Sequence, residues 1–257
     1  MSDKQVEMSI VDHLGELRKR IIYILVVLVL GLIIGLICGD PIYKYLVSVD
    51  SAKDLQLHAF AFWDGIGMYM KIAMVVAMVL TIPFTAYQLW AFVGPGLREI
   101  ERKVALRYVP YVLVLFLIGI AFGYFVVFPM ALGFTAKITK SMGLTETYGI
   151  TQYFNFMFTL VVPMALLFEL PLIVMFLTRL RILNPRRLQK MRKVSYFVLV
   201  FIALVITPPD FISEILVSIP LLLLYEFSVY LSSLVYRKQL AADEAAEEKY
   251  KFPANVE

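Results

Sequence analysis

Long apolar runs separated by short polar stretches set the pattern of this chain, and most of the runs are long enough for a helix that crosses a membrane. The first, residues 21–39, has 19 residues; at 1.5 Å per residue it measures about 28 Å, matching a hydrocarbon core of about 30 Å. Residues 1–20 before it read as a surface helix. Ser9 and Asp12 make a capping-box-like start, Ile10, Leu14, Leu17 and Ile21 share one face, and Asp12, Glu16 and Lys19 lie opposite. The second run, 66–93, carries Lys71 near its start, where a long side chain snorkels outward, and Pro83, which predicts a kink. The third, 108–134, is long enough to tilt, and a polar return from Ala136 to Tyr153 follows it. The fourth, 154–177, contains Pro163, Glu169 and Pro171. After the basic connection Thr178 to Lys193, the run 194–207 has only 14 residues before Pro208-Pro209-Asp210 stops the helix, and 211–235 returns with Glu214, Pro220 and Glu226. This last pair reads either as one re-entrant element or as two short spans in a tight hairpin. We adopt two spans, hence six in all, because a 14-residue run nearly crosses a bilayer that thins around it.

Composition and charge sharpen this picture. Hydrophobic residues make up 61% of the chain, more than a globular surface tolerates, which predicts an all-α integral membrane protein. The net charge of +4 would suggest a nucleic-acid partner in a soluble chain. Here 19 of the Lys and Arg residues fall before the first run, in 94–107, in 178–193 and in the tail, against five on the other side. That bias places both termini in the cytoplasm and needs no nucleic acid. The expected organisation is a single six-span domain over 1–236 and a charged, disordered tail over 237–257, with no internal repeat. Acids precede the first run and no small-residue cleavage pattern ends it, so it reads as a span and not as a removable signal. The lone Cys38 excludes an intrachain disulfide and a thiolate metal cluster.

Candidate chemistry lies where acids meet the membrane. In the polar interruption from Phe92 to Lys103, a helix would put Leu97, Ile100 and Val104 within about 60° of one another. Glu101 borders that apolar stripe and Glu99 points away. A poorly hydrated carboxylate at such an edge suits an incoming cation, although Arg98, Arg102 and Lys103 repel it unless they face lipid phosphates. Glu16 has a plain alternative, an ion pair with Arg20 one turn on. Glu169, inside a span, either donates as a protonated acid to carbonyls freed by Pro163 or Pro171, or makes a polar dent that binds a ligand or responds to a proton gradient. There is no His-Glu-x-x-His and no pair of intramembrane aspartates; His13 reads as a surface residue and His58 as a loop residue. No enzyme activity, metal or cofactor is expected.

His13-Leu14-Gly15-Glu16-Leu17-Arg18-Lys19-Arg20, Phe92-Val93-Gly94-Pro95-Gly96-Leu97 with Glu101-Arg102-Lys103, Phe168-Glu169-Leu170-Pro171, Thr207-Pro208-Pro209-Asp210 and Tyr225-Glu226 together resemble the TatC family. This is the polytopic component of the twin-arginine protein translocase. The resemblance implies a cupped bundle with two short last helices, in a bacterial cytoplasmic (inner) membrane. It implies a receptor for signal peptides with two consecutive arginines on folded precursors, exported by the protonmotive force with TatA/TatB-type single-span partners and with further copies of the chain itself. By motif position it assigns signal binding to Glu16, Glu101 and Phe92, and partner docking along the last two spans to Thr207 and Glu214. Pro95 and Pro208, Pro209 and Asp210 are then structural turns. A carboxylate takes a guanidinium bidentately, so two acids on one face can hold two arginines. The alternative is a proton-coupled small-molecule membrane carrier with Glu169 as its coupling acid, a class that commonly shows internal repeats.

Overall fold

The computed structural model describes residues 10–48, 57–93, 109–145, 147–207 and 211–251. Its elements are α1 (Ile10–Ile37), α2 (Gly39–Ser48), β1 (Leu57–His58), α3 (Asp64–Val93), α4 (Val109–Phe122), a π-helical turn (Gly123–Val127), α5 (Phe128–Ser141), β2 (Tyr148–Gly149), α6 (Ile150–Leu167), α7 (Leu170–Arg179), α8 (Pro185–Lys190), α9 (Arg192–Ile206) and α10 (Phe211–Lys251). Five stretches are long and apolar enough to cross a membrane: Leu14–Ile37, Asp64–Phe92, Val109–Ser141, Ile150–Arg179 and Val217–Glu244. α9 has 15 residues. Contacts divide the chain into two compact units, Met1–Val114 with Thr147–Phe158, and Leu115–Glu146 with Thr159–Glu257.

In the first unit α1 lies antiparallel to α3, and the reason is written in small side chains. Gly31 and Gly35 stand one turn apart on α1, opposite Ala77 and Ala73, both fully buried on α3. A Cβ at position 35 would lie 2.5 Å from the Ala73 Cα and 2.7 Å from its carbonyl oxygen, so only glycine permits this approach. Lipid tails are as apolar as leucine, so association of apolar helices depends on such close packing. The outward face is greasy: Leu25, Val26, Val29, Leu30 and Ile33 are each about half exposed, the pattern of a surface turned to lipid. The surface helix and first span foreseen as separate are one continuous helix, and α3 continues through Pro83.

At the end of this unit remote from the α1 N-terminus, Asp64 opens α3. Its Oδ2 accepts from the Phe60 and Ala61 amides and its Oδ1 from the Thr151 hydroxyl at 2.7 Å. That carboxylate holds the β1 segment to the start of α6, beside the parallel pairing of Leu57 with Tyr148 and His58 with Gly149. Lys71 bonds Asn155 there as well. On α2, Lys44 donates to Asp40 at 2.5 Å, which lowers the Asp40 carboxyl below its ordinary range and raises the lysine.

The second unit repeats the small-residue device. Gly119 on α4 faces Ala165 and Phe168, and Gly123, where the helix widens to π geometry, faces Val161. The run expected as 154–177 is observed as α6 and α7, broken at Phe168-Glu169 with Pro171 in the first turn of α7. Two expectations are corrected by α10. It is a 41-residue helix and therefore not short, and it continues to Lys251 through the stretch foreseen as disordered. Ala241, Ala242, Ala245 and Ala246 favour helix, and tertiary contacts hold the stretch. Gln239 donates to the Arg179 carbonyl at 2.8 Å and Asp243 receives Arg181 through both oxygens at 2.8 and 2.9 Å. Arg181 itself has φ of 61°, a left-handed residue closing α7 where glycine is usual. The cost of about 1 kcal/mol is offset by contacts of this kind.

Gly35→Ala is expected to destabilise the protein by about 1–3 kcal/mol, read as a lower thermal midpoint in detergent. Adding Ala73→Gly does not restore it, because the Cβ meets backbone atoms of residue 73; full rescue would show that the helices are free to separate.

Candidate functional site

The antiparallel register of α1 on α3 carries Arg20 to the C-terminal end of α3. Its Nη2 donates to the Ala91 carbonyl at 3.0 Å, and its Nη1 lies 3.1 Å from Gln88 Oε1 and 3.4 Å from the Gln88 carbonyl. Ala91 belongs to the last turn of α3, whose carbonyls have no partner within the helix, so the cation satisfies an orphan acceptor at the negative end of the helix dipole. Arg20 also binds Glu16, Nε lying 3.2 Å from Oε1 and Nη2 bonding the same atom. The simpler expectation for Glu16, pairing one turn on, is therefore present. It is not the whole of the geometry. Glu16 Oε2 is buried and has no hydrogen-bond partner among the described residues. Phe92, half-buried, sits next to Ala91 in the same last turn.

Glu16 and Phe92 thus occupy elements joined by Arg20. Glu101 and Pro95 lie outside the described residues. Gln88, only 7% exposed, was not anticipated. Its signal was a lone amide in the closing turns of an apolar run, a group that needs a partner wherever water is excluded.

Glu169 is elsewhere, in the second unit, at the break between α6 and α7. It is 6% exposed, and its Oε1 is buried without a hydrogen-bond partner among the described residues. Its side chain does not cap the start of α7. Thr207 closes α9, buried, with its hydroxyl donating to the Ala203 carbonyl at 2.9 Å. Glu214 is half-buried in the first turn of α10. Pro208, Pro209 and Asp210 lie outside the described residues. Glu226 accepts from Arg192 at 2.7 Å and from the Tyr196 hydroxyl at 2.5 Å. Among the described residues no group of three or more His, Cys, Asp or Glu side chains is arranged to hold a metal.

The model of the family described as Sec-independent protein translocase protein (TatC) matches residues 12–220. The chain belongs to the TatC family. It is similar to the Sec-independent protein translocase protein TatC of Halalkalibacterium halodurans, at 44% identity over 95% of this chain and 97% of that protein. It is likewise similar to TatCd of Bacillus subtilis, at 47% identity over 93% of this chain and 98% of its relative. A crystal structure of the twin arginine translocase receptor TatC superposes with a TM-score of 0.74 at 29% identity, covering 87% of this chain and 99% of the other. With its apolar helices, this TatC member is a multi-pass membrane protein. TatC proteins are translocase components and not a classical enzyme family, and the small-molecule carrier has no support from these matches.

Glu169→Met removes a buried oxygen that lacks a donor and keeps the length of the side chain. It is expected to raise the thermal midpoint, corresponding to about 1–3 kcal/mol. A lowered midpoint would mean that the carboxyl has a partner supplied by residues outside those described.

Proposed function

We propose that this TatC chain is the receptor of a twin-arginine translocase, binding the paired arginines of signal peptides with Glu16 and Glu101 beside Phe92. Glu101 enters this reading by its place in the family motif and by the apolar stripe it borders. The observation that carries the proposal is the Glu16 carboxylate, which has one oxygen held by Arg20 and one without a donor among the described residues, at the end of α3 that bears Phe92. A carboxylate in a partly dehydrated setting binds a cation more strongly than one in open water.

The chain forms a single membrane domain over 1–236 with six crossings, α9 and the first part of α10 making the last two. Both termini lie in the cytoplasm, and the membrane is the bacterial inner membrane. The excess of Lys and Arg in 1–20, in 94–107, in 178–193 and from Arg237 onward supports this orientation. On this side Glu16 meets precursors before they cross. TatA/TatB-type single-span proteins dock along α9 and α10, near Thr207 and Glu214, and further copies of the chain complete the complex. Polar groups near helix ends in lipid suit such contacts, because a hydroxyl or carboxyl there finds few other partners. Folded precursors are exported at the expense of the protonmotive force, and Glu169 is a polar dent that receives part of the signal peptide or responds to the gradient.

Glu101→Ala is expected to weaken binding of a synthetic twin-arginine peptide by more than about 30-fold, the cost of removing one partner of a dehydrated charge pair. The variant still inserts in the membrane. Unchanged affinity would remove Glu101 from the site. Crosslinking probes beside Glu214 are expected to capture a single-span partner in the assembled complex, and an assembled complex with no such product would refute docking there.

A further inference from the structure

Resting on the receptor reading above, we propose that Arg20 makes Glu16 a one-oxygen acceptor. The Glu16 subsite then reads a single positive donor and not the two-pronged fork of a guanidinium. Arg20 is anchored independently of Glu16, by the Gln88 side-chain oxygen, the Gln88 carbonyl and the Ala91 carbonyl. A ligand that displaced it would strip donors from a helix end and from an amide that is 7% exposed. Arg20 therefore stays. Glu16 Oε1 already receives both Nε and Nη2 of Arg20 and is filled. What remains is Oε2, shielded from water and without a donor among the described residues, an exception that buried acceptors rarely present.

The consequence concerns specificity. Arginine exceeds lysine as a carboxylate ligand when its planar fork engages both oxygens at once. With a single oxygen on offer that advantage is lost, and an ammonium, a compact charge with three rotatable donors, makes the same bond. Of two consecutive arginines, the one seated at Glu16 is replaceable by lysine at small cost. Arg20 is here a positioning residue: it touches no ligand and sets how many oxygens Glu16 can offer.

The test uses the purified full-length protein and synthetic signal peptides carrying Arg-Arg, Lys-Arg, Arg-Lys, Ala-Arg or Arg-Ala at the paired positions. The position read by Glu16 is identified by coupling: its alanine peptide binds Glu16→Ala as tightly as the Arg-Arg peptide does. At that position lysine is expected to bind the unsubstituted protein within about threefold of arginine. In Arg20→Gln, where both oxygens are open, the same lysine is expected to fall about tenfold or more below arginine. If lysine at the coupled position already costs about tenfold in the unsubstituted protein, the fork is being read and the inference is overturned. It is overturned too if the Arg-Arg peptide binds and neither position couples to Glu16. An Arg-Arg peptide that fails to bind at all removes the receptor reading itself, a distinct result. Should Arg20→Gln not fold, the lysine-to-arginine ratio on the unsubstituted protein decides alone.

Discussion

The backbone contact of α1 with α3 at Gly35 and Ala73 is the constraint on which the first unit depends. In a bilayer, burial of apolar surface offers little reason for one helix to prefer another over lipid, so shape and polar pairing must do it. Glycine on one helix and alanine on the other bring two main chains close enough to fix register along the full length of both. Once register is set, Arg20 has no choice of neighbour, because it arrives at the carbonyl end of α3. The polar site at that end is thus a consequence of packing some turns away.

Polar groups in the second unit follow a related logic. Thr178 bonds Ser232 at 2.7 Å, Tyr225 reaches the Leu188 carbonyl at 2.9 Å and Gln239 the Arg179 carbonyl, so α10 is tied along its length to α7 and to the connection after it. Each bond satisfies a group that neither lipid nor a dry interior would satisfy. Against that background Glu169 stands out, buried at a helix break with an oxygen that nothing among the described residues meets. An ionisable group enclosed in this way is costly, and among the described residues Glu169 Oε1 shares its lack of a partner with Glu16 Oε2, Thr81 Oγ1, Arg179 Nε and Ser218 Oγ.

The fold gives these two acids different settings. Glu16 is partly exposed, with Oε2 buried and without a donor among the described residues, and its charge is balanced by an arginine of the same helix. Glu169 is enclosed at a break in the chain's fourth long apolar stretch. The two acids therefore enter the proposed mechanism at different points.

Much of this was legible from residue order. Run lengths near a bilayer thickness and the one-sided distribution of bases define a helical membrane protein, because these are constraints that solvent imposes residue by residue. The Glu16 to Arg20 spacing announced its ion pair, since partners one turn apart on a helix need no tertiary information. Other features depended on which helix lies against which. No local pattern says that Gly31 and Gly35 meet Ala77 and Ala73, that Gln88 and Ala91 receive Arg20, or that Asp243 and Gln239 hold a charged tail in helical form. Propensity alone leaves such a tail undecided, and its partners lie about 60 residues back in the chain. The residue types present were set by sequence alone; which oxygens are filled and which stay open was decided only when distant helices came into register.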